Sequence, residues 1–91
     1  MKIINISKVE KIPNRPYTIN LSGSMGHNKF NADLEGVCLN IKSINPLSED
    51  EEEKLKEKLV ELFPHELDGK FKKKDIDKVL SNNNGIISIK V

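Results

Sequence analysis

The sequence predicts a small α+β domain: a mostly antiparallel sheet of about four strands, with one main amphipathic helix and one short helix packed on one face, in the order β-β-β-α-α-β. Three observations predict this class. The first half of the chain alternates apolar and polar residues as strands do, residues 49–63 space their leucines as a helix does, and residues 86–91 are rich in β-branched side chains. A length of 91 residues accommodates one such domain, over residues 1–91.

The first two strands are predicted to form an antiparallel hairpin. Residues 2–12 carry isoleucines on both faces of an extended chain, so this strand is either covered on both sides or interrupted by a bulge. Residues 13–16 read Pro-Asn-Arg-Pro, which is a turn composition. Residues 17–22 then alternate strictly between apolar and polar side chains, which predicts a half-buried strand.

A loop is predicted over Gly23–Asn31, because its glycines and asparagines favour turns over continued strand. A third strand is predicted over residues 32–44. Its apolar side chains lie on one face, namely Val37, Leu39 and Ile41.

The main helix is predicted to begin at Ser48, an N-cap residue with its capping-box partner Glu51 three positions later. Pro64 is predicted to end it. The apolar residues fall at helical spacing on one stripe, formed by Leu55, Leu59, Leu62 and Phe63. This stripe is expected to pack on the sheet.

A shorter helix is predicted over residues 73–81, with Ile76, Val79 and Leu80 facing inward. The run Asn-Asn-Asn-Gly at 82–85 supplies its stop, and residues 86–91 form the last strand. Should this last strand or the first lie at an open sheet edge, a homodimer formed by strand pairing is expected.

The charge balance argues against a protein held to nucleic acid by bulk charge. The formal net charge is +1, from 15 basic and 14 acidic residues, whereas such proteins are usually far more basic. The charges are nevertheless segregated: residues 49–63 hold seven acidic and three basic side chains, and residues 64–91 hold four and six. This pattern predicts surfaces of opposite sign.

Cysteine usage and hydropathy predict a cytoplasmic protein. Cys38 is the one cysteine, so no internal disulfide can form, which is typical of a reducing compartment. The first residues lack the apolar run of a signal peptide, and no segment approaches the ~20 apolar residues of a membrane helix. We therefore expect no membrane partner.

A candidate protein-binding surface is an acidic row on the main helix. Its members recur at helical spacing on one face: Asp50, Glu53, Glu57 and Glu61. Capping and the helix dipole account for acidic residues in the first turn. They do not account for the later members, since like charges four residues apart repel. The row therefore predicts contact with a partner that has a basic surface.

An alternative surface is a basic cluster that would contact nucleic-acid phosphates. It comprises Lys70, Lys72, Lys73, Lys74 and Lys78. Arg15 and Lys29 would extend it if the fold brings them near, with Tyr17 and Phe30 as stacking platforms for bases. In this interpretation the protein is a nucleic-acid-binding accessory protein.

A third alternative, ranked last, is a calcium site. The segment 68–76 resembles the second half of an EF-hand calcium loop, with Asp68 at loop position 5, Gly69 at the turn glycine and Asp75 at the closing carboxylate. The resemblance fails at position 1, which is Pro64, and position 3 is Glu66. It implies at most a degenerate EF-hand-like module, so no metal or cofactor is predicted.

The sequence predicts no enzyme. Cys38, His27 and His65 are the conventional nucleophile and base candidates, and no motif accompanies them. We expect a non-catalytic binding protein that occludes a functional surface of its partner. Lysine, asparagine and isoleucine abound and alanine occurs once, as in AT-rich coding sequences of bacteria and phage. A phage or mobile-element inhibitor of a bacterial defence nuclease is therefore the specific class predicted.

Overall fold

The computed structural model describes residues 2–42, 45–63 and 71–91. The strands are β1 (Ile3–Ile12), β2 (Arg15–Met25), β3 (Asn28–Glu35), β4 (Cys38–Ile41) and β5 (Ile87–Lys90). The helices are α1 (Glu49–Leu62) and α2 (Lys73–Asn82), both between β4 and β5 in the chain.

All strand pairs are antiparallel, and the sheet has the order β4-β3-β2-β1-β5. The sheet curves into a half-barrel, and both helices contribute to the core that it encloses. The predicted α+β class is therefore confirmed, with five strands in place of about four. Strands β4 and β5 form the two edges, while β1 lies between β2 and β5. Of the two strands considered as an open edge, only the last one is at an edge.

The predicted loop over Gly23–Asn31 is wrong. Strand β2 continues to Met25, the turn is confined to Gly26 and His27, and Asn28 begins β3. Gly26 has a φ of 64°, which is the left-handed conformation that a tight hairpin requires. The residues that suggested a long loop are strand residues here because the alternation of β2 continues through Gly23 to the buried Met25.

The predicted strand over residues 32–44 is in fact two strands. β3 ends at Glu35, Gly36 adopts a φ of 59° in the turn, and Cys38 begins β4. Val37 belongs to this turn and is 58% exposed, so it does not share an inward face with Leu39 and Ile41. One glycine with a positive φ thus converts a predicted continuous strand into a hairpin.

The bulge that the sequence allowed in the first strand is present at Ser7. Ile6 pairs with Gly23 and Lys8 pairs with Ser22, so Ser7 has no partner of its own in β2. The extra residue reverses which face the following residues occupy. As a result Val9 is buried on the same side as Ile6.

Helix α1 begins as predicted. The Ser48 amide donates to Glu51 Oε1 at 2.9 Å, and the Glu51 amide donates to Ser48 Oγ at 3.2 Å, which completes the capping box. Leu55 and Leu59 are fully buried, and Phe63 is 2% exposed. The predicted end at Pro64 lies outside the described residues.

Helix α2 also matches its prediction, and Ile76 is its buried residue. Asn84 and Gly85 have φ values of 56° and 84°, and the Gly85 amide donates to the Leu80 carbonyl at 2.8 Å. This left-handed stop turns the chain into β5.

One hydrophobic cluster joins the sheet and both helices. Its buried members include Ile4, Ile6, Ile19, Leu21, Phe30, Leu34, Leu55, Leu59, Phe71, Ile76, Ile87 and Ile89. Every described strand but β4 contributes a buried apolar residue, and β4 packs against the cluster through Leu39 and Ile41. In the described ranges no helix combines the length and apolar character that a membrane crossing demands.

Candidate functional site

The four predicted acidic residues lie together on the face of α1 that points away from the sheet. With 3.6 residues per turn, Asp50, Glu53, Glu57 and Glu61 fall within about 80° of arc, opposite the buried leucines. All four are exposed. We call these four residues the acidic ridge.

The carboxylates of the acidic ridge are largely unpaired. Glu53 forms an ion pair with Lys56 at 3.1 Å. Across the part of the chain that the structure describes, no cation lies within 4 Å of the carboxylates of Asp50, Glu57 or Glu61. Among the described residues, three of the four ridge carboxylates therefore lack an ion-pair partner, and carboxylates on neighbouring turns repel each other.

A groove separates α1 from each edge of the sheet. The groove beside β4 has a volume of about 650 Å³ and is lined by Val37–Ile41 and by Glu49, Glu52, Glu53 and Lys56. The groove beside β5 has a volume of about 460 Å³ and is lined by Ser88–Lys90 and by Lys54, Glu57, Lys58 and Glu61. We call them the β4 groove and the β5 groove.

The two grooves differ in charge. The helix side of the β4 groove carries three carboxylates and one ammonium group. The β5 groove carries two carboxylates and three ammonium groups, those of Lys54, Lys58 and Lys90. The negative surface of the ridge therefore extends toward β4 and is balanced toward β5.

Sequence reasoning missed Glu49 and Glu52 as part of this surface. The helix dipole alone explains both in the sequence, and they do complement it from the first turn of α1. Their position beside β4 depends on which sheet edge flanks the helix, and the sequence predicts the third strand without a break. The signal that could have found them was the Gly36–Val37 turn.

Glu51 belongs to the fold and not to the ridge. The backbone amide of Ser48 holds the pKa of the Glu51 carboxyl below its ordinary value, and Lys2 lowers it further from 3.3 Å. Glu51 thus links the start of α1 to the chain segment before β1.

The basic cluster is present but partly neutralised. Lys72, Lys73, Lys74 and Lys78 are exposed at the start and along the outer side of α2, and Lys70 lies outside the described residues. Lys73 Nζ lies 3.8 Å from Asp77, and Asp75 is interleaved with the lysines. Lys74 and Lys78 occupy one outward face, one turn apart.

The aromatic platform predicted for nucleic-acid bases is wrong in one of its two members. Phe30 is 2% exposed and belongs to the core, so its ring cannot stack on a base. Tyr17 is 44% exposed. Arg15, which was expected to contact phosphate, forms an ion pair with Glu35 at 3.1 Å.

Two of the three candidate catalytic residues lie at opposite ends of the sheet. His27 precedes the first residue of β3, and Cys38 pairs with Glu35 at the last residue of β3. At about 3.3 Å per residue along β3, the two are separated by roughly 25 Å. His65 lies outside the described residues, as do the first ligand positions of the EF-hand-like segment. Within the described ranges no group of three or more metal-binding side chains occurs.

The outer face of the sheet carries a polar network centred on Asp33, which is 7% exposed. Asn20 Nδ2 donates to Asp33 Oδ1 at 2.9 Å, and Lys42 Nζ lies 2.7 Å from Asp33 Oδ2. Burial raises the pKa of the Asp33 carboxyl, but the bonds from Asn20 and Lys42 and the charges of Lys42 and Arg15 outweigh it, so the pKa is lowered. These bonds account for the buried carboxylate without a ligand.

No protein-family model, curated protein or solved structure matches this chain. The candidate site therefore rests on the residues and geometry of this chain.

Proposed function

We propose that this protein is a non-catalytic binding protein whose acidic ridge contacts a basic surface of a protein partner. The observation that carries the proposal is that, among the described residues, Asp50, Glu57 and Glu61 have no ion-pair partner on one exposed helix face. A helix with a purely structural role gains from lysines placed four residues after its glutamates. Here Glu53, Glu57 and Glu61 follow one another at that spacing, at a cost to helix stability.

The opposite charges on the exposed faces of α1 and α2 support binding in which electrostatic attraction orients the partner before contact. The ridge on α1 is negative, and the outward face of α2 carries Lys74 and Lys78. A basic partner is drawn to the first surface and repelled by the second, which orients it before contact. Affinity should therefore fall with salt, because the charges are exposed and screened within a Debye length of about 8 Å at physiological ionic strength.

The mechanism that we propose is occlusion. A protein of this size that covers a basic cleft prevents the usual occupant from entering it. Nucleases bind the phosphate backbone through basic surfaces. The narrower prediction, a phage or mobile-element inhibitor of a bacterial defence nuclease, is one form of this mechanism. A cytoplasmic location belongs to the proposal, since the exposed thiol of Cys38 persists in a reducing compartment.

The test is affinity capture with three baits. The wild type, Glu53→Lys/Glu57→Lys and the matched control Lys74→Glu/Lys78→Glu are each immobilised and exposed to nuclease-treated bacterial lysate. We expect a basic protein that the wild type and the control retain and the ridge variant loses. Equal capture by the ridge variant contradicts the proposal. Capture by the wild type only when nuclease is omitted, with loss of that capture by Lys74→Glu/Lys78→Glu, would instead favour the nucleic-acid alternative.

A further inference from the structure

We propose that the β4 groove binds an extended segment of the partner, which joins the sheet as a sixth strand beside β4 and carries basic side chains at alternate positions. This inference rests on the proposed function and names the form of the partner. It follows from three features of the groove: an unpaired strand edge, an acidic wall and a shared spacing.

The first feature is the free backbone of β4. The Lys42 amide donates to the Asn31 carbonyl at 2.8 Å, just beyond the strand, so by the alternation of an antiparallel pair Asn40 also faces β3. The N–H and C=O groups of Leu39 and Ile41 then face away from the sheet. No bond to them occurs among the described residues. Such an edge is a template for an added strand.

The second feature is the wall opposite this edge. Side chains of Glu49, Glu52 and Glu53 line the groove on the α1 side, with Lys56 as the one cation among the described lining residues. Leu39 and Ile41 pack against the core, so their side chains point to the same side of the sheet as α1. An added strand therefore directs every second side chain toward the carboxylates, and basic side chains complement them.

The third feature is the spacing along the groove. Glu49 and Glu53 are one helical turn apart, which is about 6 Å along the axis of α1. Alternate side chains of a strand are separated by about 6.7 Å. The groove is lined by five consecutive residues of the β4 segment and by about two turns of α1. Where such a segment runs along α1, lysine or arginine at every second position thus offers one cation to Glu49 and one to Glu53.

The other sheet edge, β5, is less suited to a basic segment than β4. Strand β5 is also an edge, but the groove beside it carries three ammonium groups and two carboxylates. A basic strand there meets net positive charge. Charge complementarity therefore assigns the basic segment to the β4 edge.

The probe is a synthetic peptide of about eight residues in which lysine and threonine alternate, a composition that favours soluble extended chains. Its affinity is measured by fluorescence anisotropy against a peptide of the same composition with the lysines contiguous. We expect the alternating peptide to bind about tenfold more tightly, and amide NMR shifts to fall on Val37–Ile41. Equal affinities, or binding of neither peptide, would overturn the inference.

Backbone methylation separates strand addition from charge attraction alone. In an antiparallel added strand, the residues whose side chains face α1 are those whose amides pair with Leu39 and Ile41. N-methylation of the peptide lysines should therefore weaken binding about tenfold or more, and N-methylation of the threonines should leave it within about threefold. Equal effects of the two modifications would exclude strand addition, while the capture experiment with the ridge variant would still decide the proposed function.

A pair of protein variants tests the acidic wall. Glu49→Gln/Glu52→Gln removes two carboxylates from the groove and leaves the ridge intact. Asp75→Asn/Asp77→Asn removes the same charge from α2. We expect Glu49→Gln/Glu52→Gln to lower the affinity for the alternating peptide about tenfold. Asp75→Asn/Asp77→Asn should change that affinity by less than about threefold. If both pairs lower the affinity for the peptide equally, binding depends on the net charge of the protein and the assignment to the β4 groove is wrong.

Discussion

The carbonyl oxygen of Asn5 occupies the space where a side chain at Gly23 would begin. A Cβ built on Gly23 would lie 1.8 Å from that oxygen and 2.8 Å from the Cα of Ile6. This contact lies beside the bulge at Ser7, where β1 and β2 are in close approach and the sheet bends into its half-barrel.

Substitution of this glycine should therefore be costly. We expect Gly23→Ala to lower the free energy of unfolding by at least about 2 kcal/mol, because backbone atoms must move to admit the methyl group. Urea denaturation followed by far-UV circular dichroism measures the change.

Gly36→Ala is the matched control for Gly23→Ala. A Cβ at Gly36 meets no atom within 4 Å, although its φ of 59° is unfavourable for alanine. Its cost should stay near 1 kcal/mol. If Gly23→Ala is no more destabilising than Gly36→Ala, the close approach does not constrain the bend.

Leu59 tests the packing of α1 on the sheet. Its side chain is fully buried, one turn after the fully buried Leu55. We expect Leu59→Ala to lower the free energy of unfolding by about 2–5 kcal/mol, since it removes apolar contacts and leaves a cavity. The exposed neighbour Lys58→Ala should change it by less than about 0.5 kcal/mol. A small effect of Leu59→Ala in the same urea titration would mean that α1 is not anchored by this stripe.

The polar network on the outer sheet face predicts acid sensitivity. The pKa of Asp33 is lower in the fold than its ordinary value of about 3.9, because the bonds from Asn20 and Lys42 outweigh burial. A carboxyl with a lowered folded pKa stabilises the fold above the unfolded pKa, and this contribution is lost as the pH falls through the folded pKa. Stability should therefore decline below about pH 4.

Asp33→Asn isolates the contribution of the Asp33 carboxyl to the pH dependence of stability from that of the other carboxyls. At pH 7 we expect it to cost about 1–3 kcal/mol, since Lys42 and Asn20 lose their charged acceptor. Below the folded pKa of Asp33 the difference between wild type and variant should shrink. Glu61→Gln, at an exposed carboxylate that forms no ion pair with any described residue, serves as the control. If the difference in the free energy of unfolding between wild type and Asp33→Asn stays constant from pH 7 to below the folded pKa of Asp33, the role assigned to this charge is contradicted.

The sequence was sufficient for the elements that depend on periodicity. The capping box at Ser48 and the spacing of Leu55 and Leu59 place α1 correctly, and the alternation after Tyr17 places the centre of β2. It was insufficient where a glycine can lie either within a strand or in a turn. Gly23 lies within a strand, where the Asn5 carbonyl leaves no room for a side chain, whereas Gly36 lies in a turn with a positive φ. Composition alone does not distinguish them.

The same limit applies to the candidate site. Helical spacing identifies the acidic ridge, because Glu53, Glu57 and Glu61 share a face whatever the helix packs against. The β4 groove is a tertiary feature: it requires the break at Gly36 and an edge strand beside the first half of α1. Neither follows from local pattern, so Glu49 and Glu52 gained their second role only from the fold.

The exposed edge of β5 bears on the oligomeric state of the protein in solution. It is an edge strand, so a homodimer formed by β5 pairing stays a prediction, with Ser88 and Lys90 exposed along that strand. Sedimentation equilibrium of the wild type over a range of concentrations measures it. A dimer that Ser88→Pro abolishes supports β5 pairing, and a monomer at all concentrations contradicts it.

The most direct measurement of the central claim is a calorimetric titration of the captured basic partner with this protein and its two double charge variants, at about 0.15 M salt. Reversal of charge on the ridge by Glu53→Lys/Glu57→Lys should raise the Kd at least tenfold, which is about 1.4 kcal/mol or more. Lys74→Glu/Lys78→Glu should leave it within about threefold or tighten it. An unchanged Kd for the ridge variant, with a folded circular dichroism spectrum, would contradict binding through the acidic ridge.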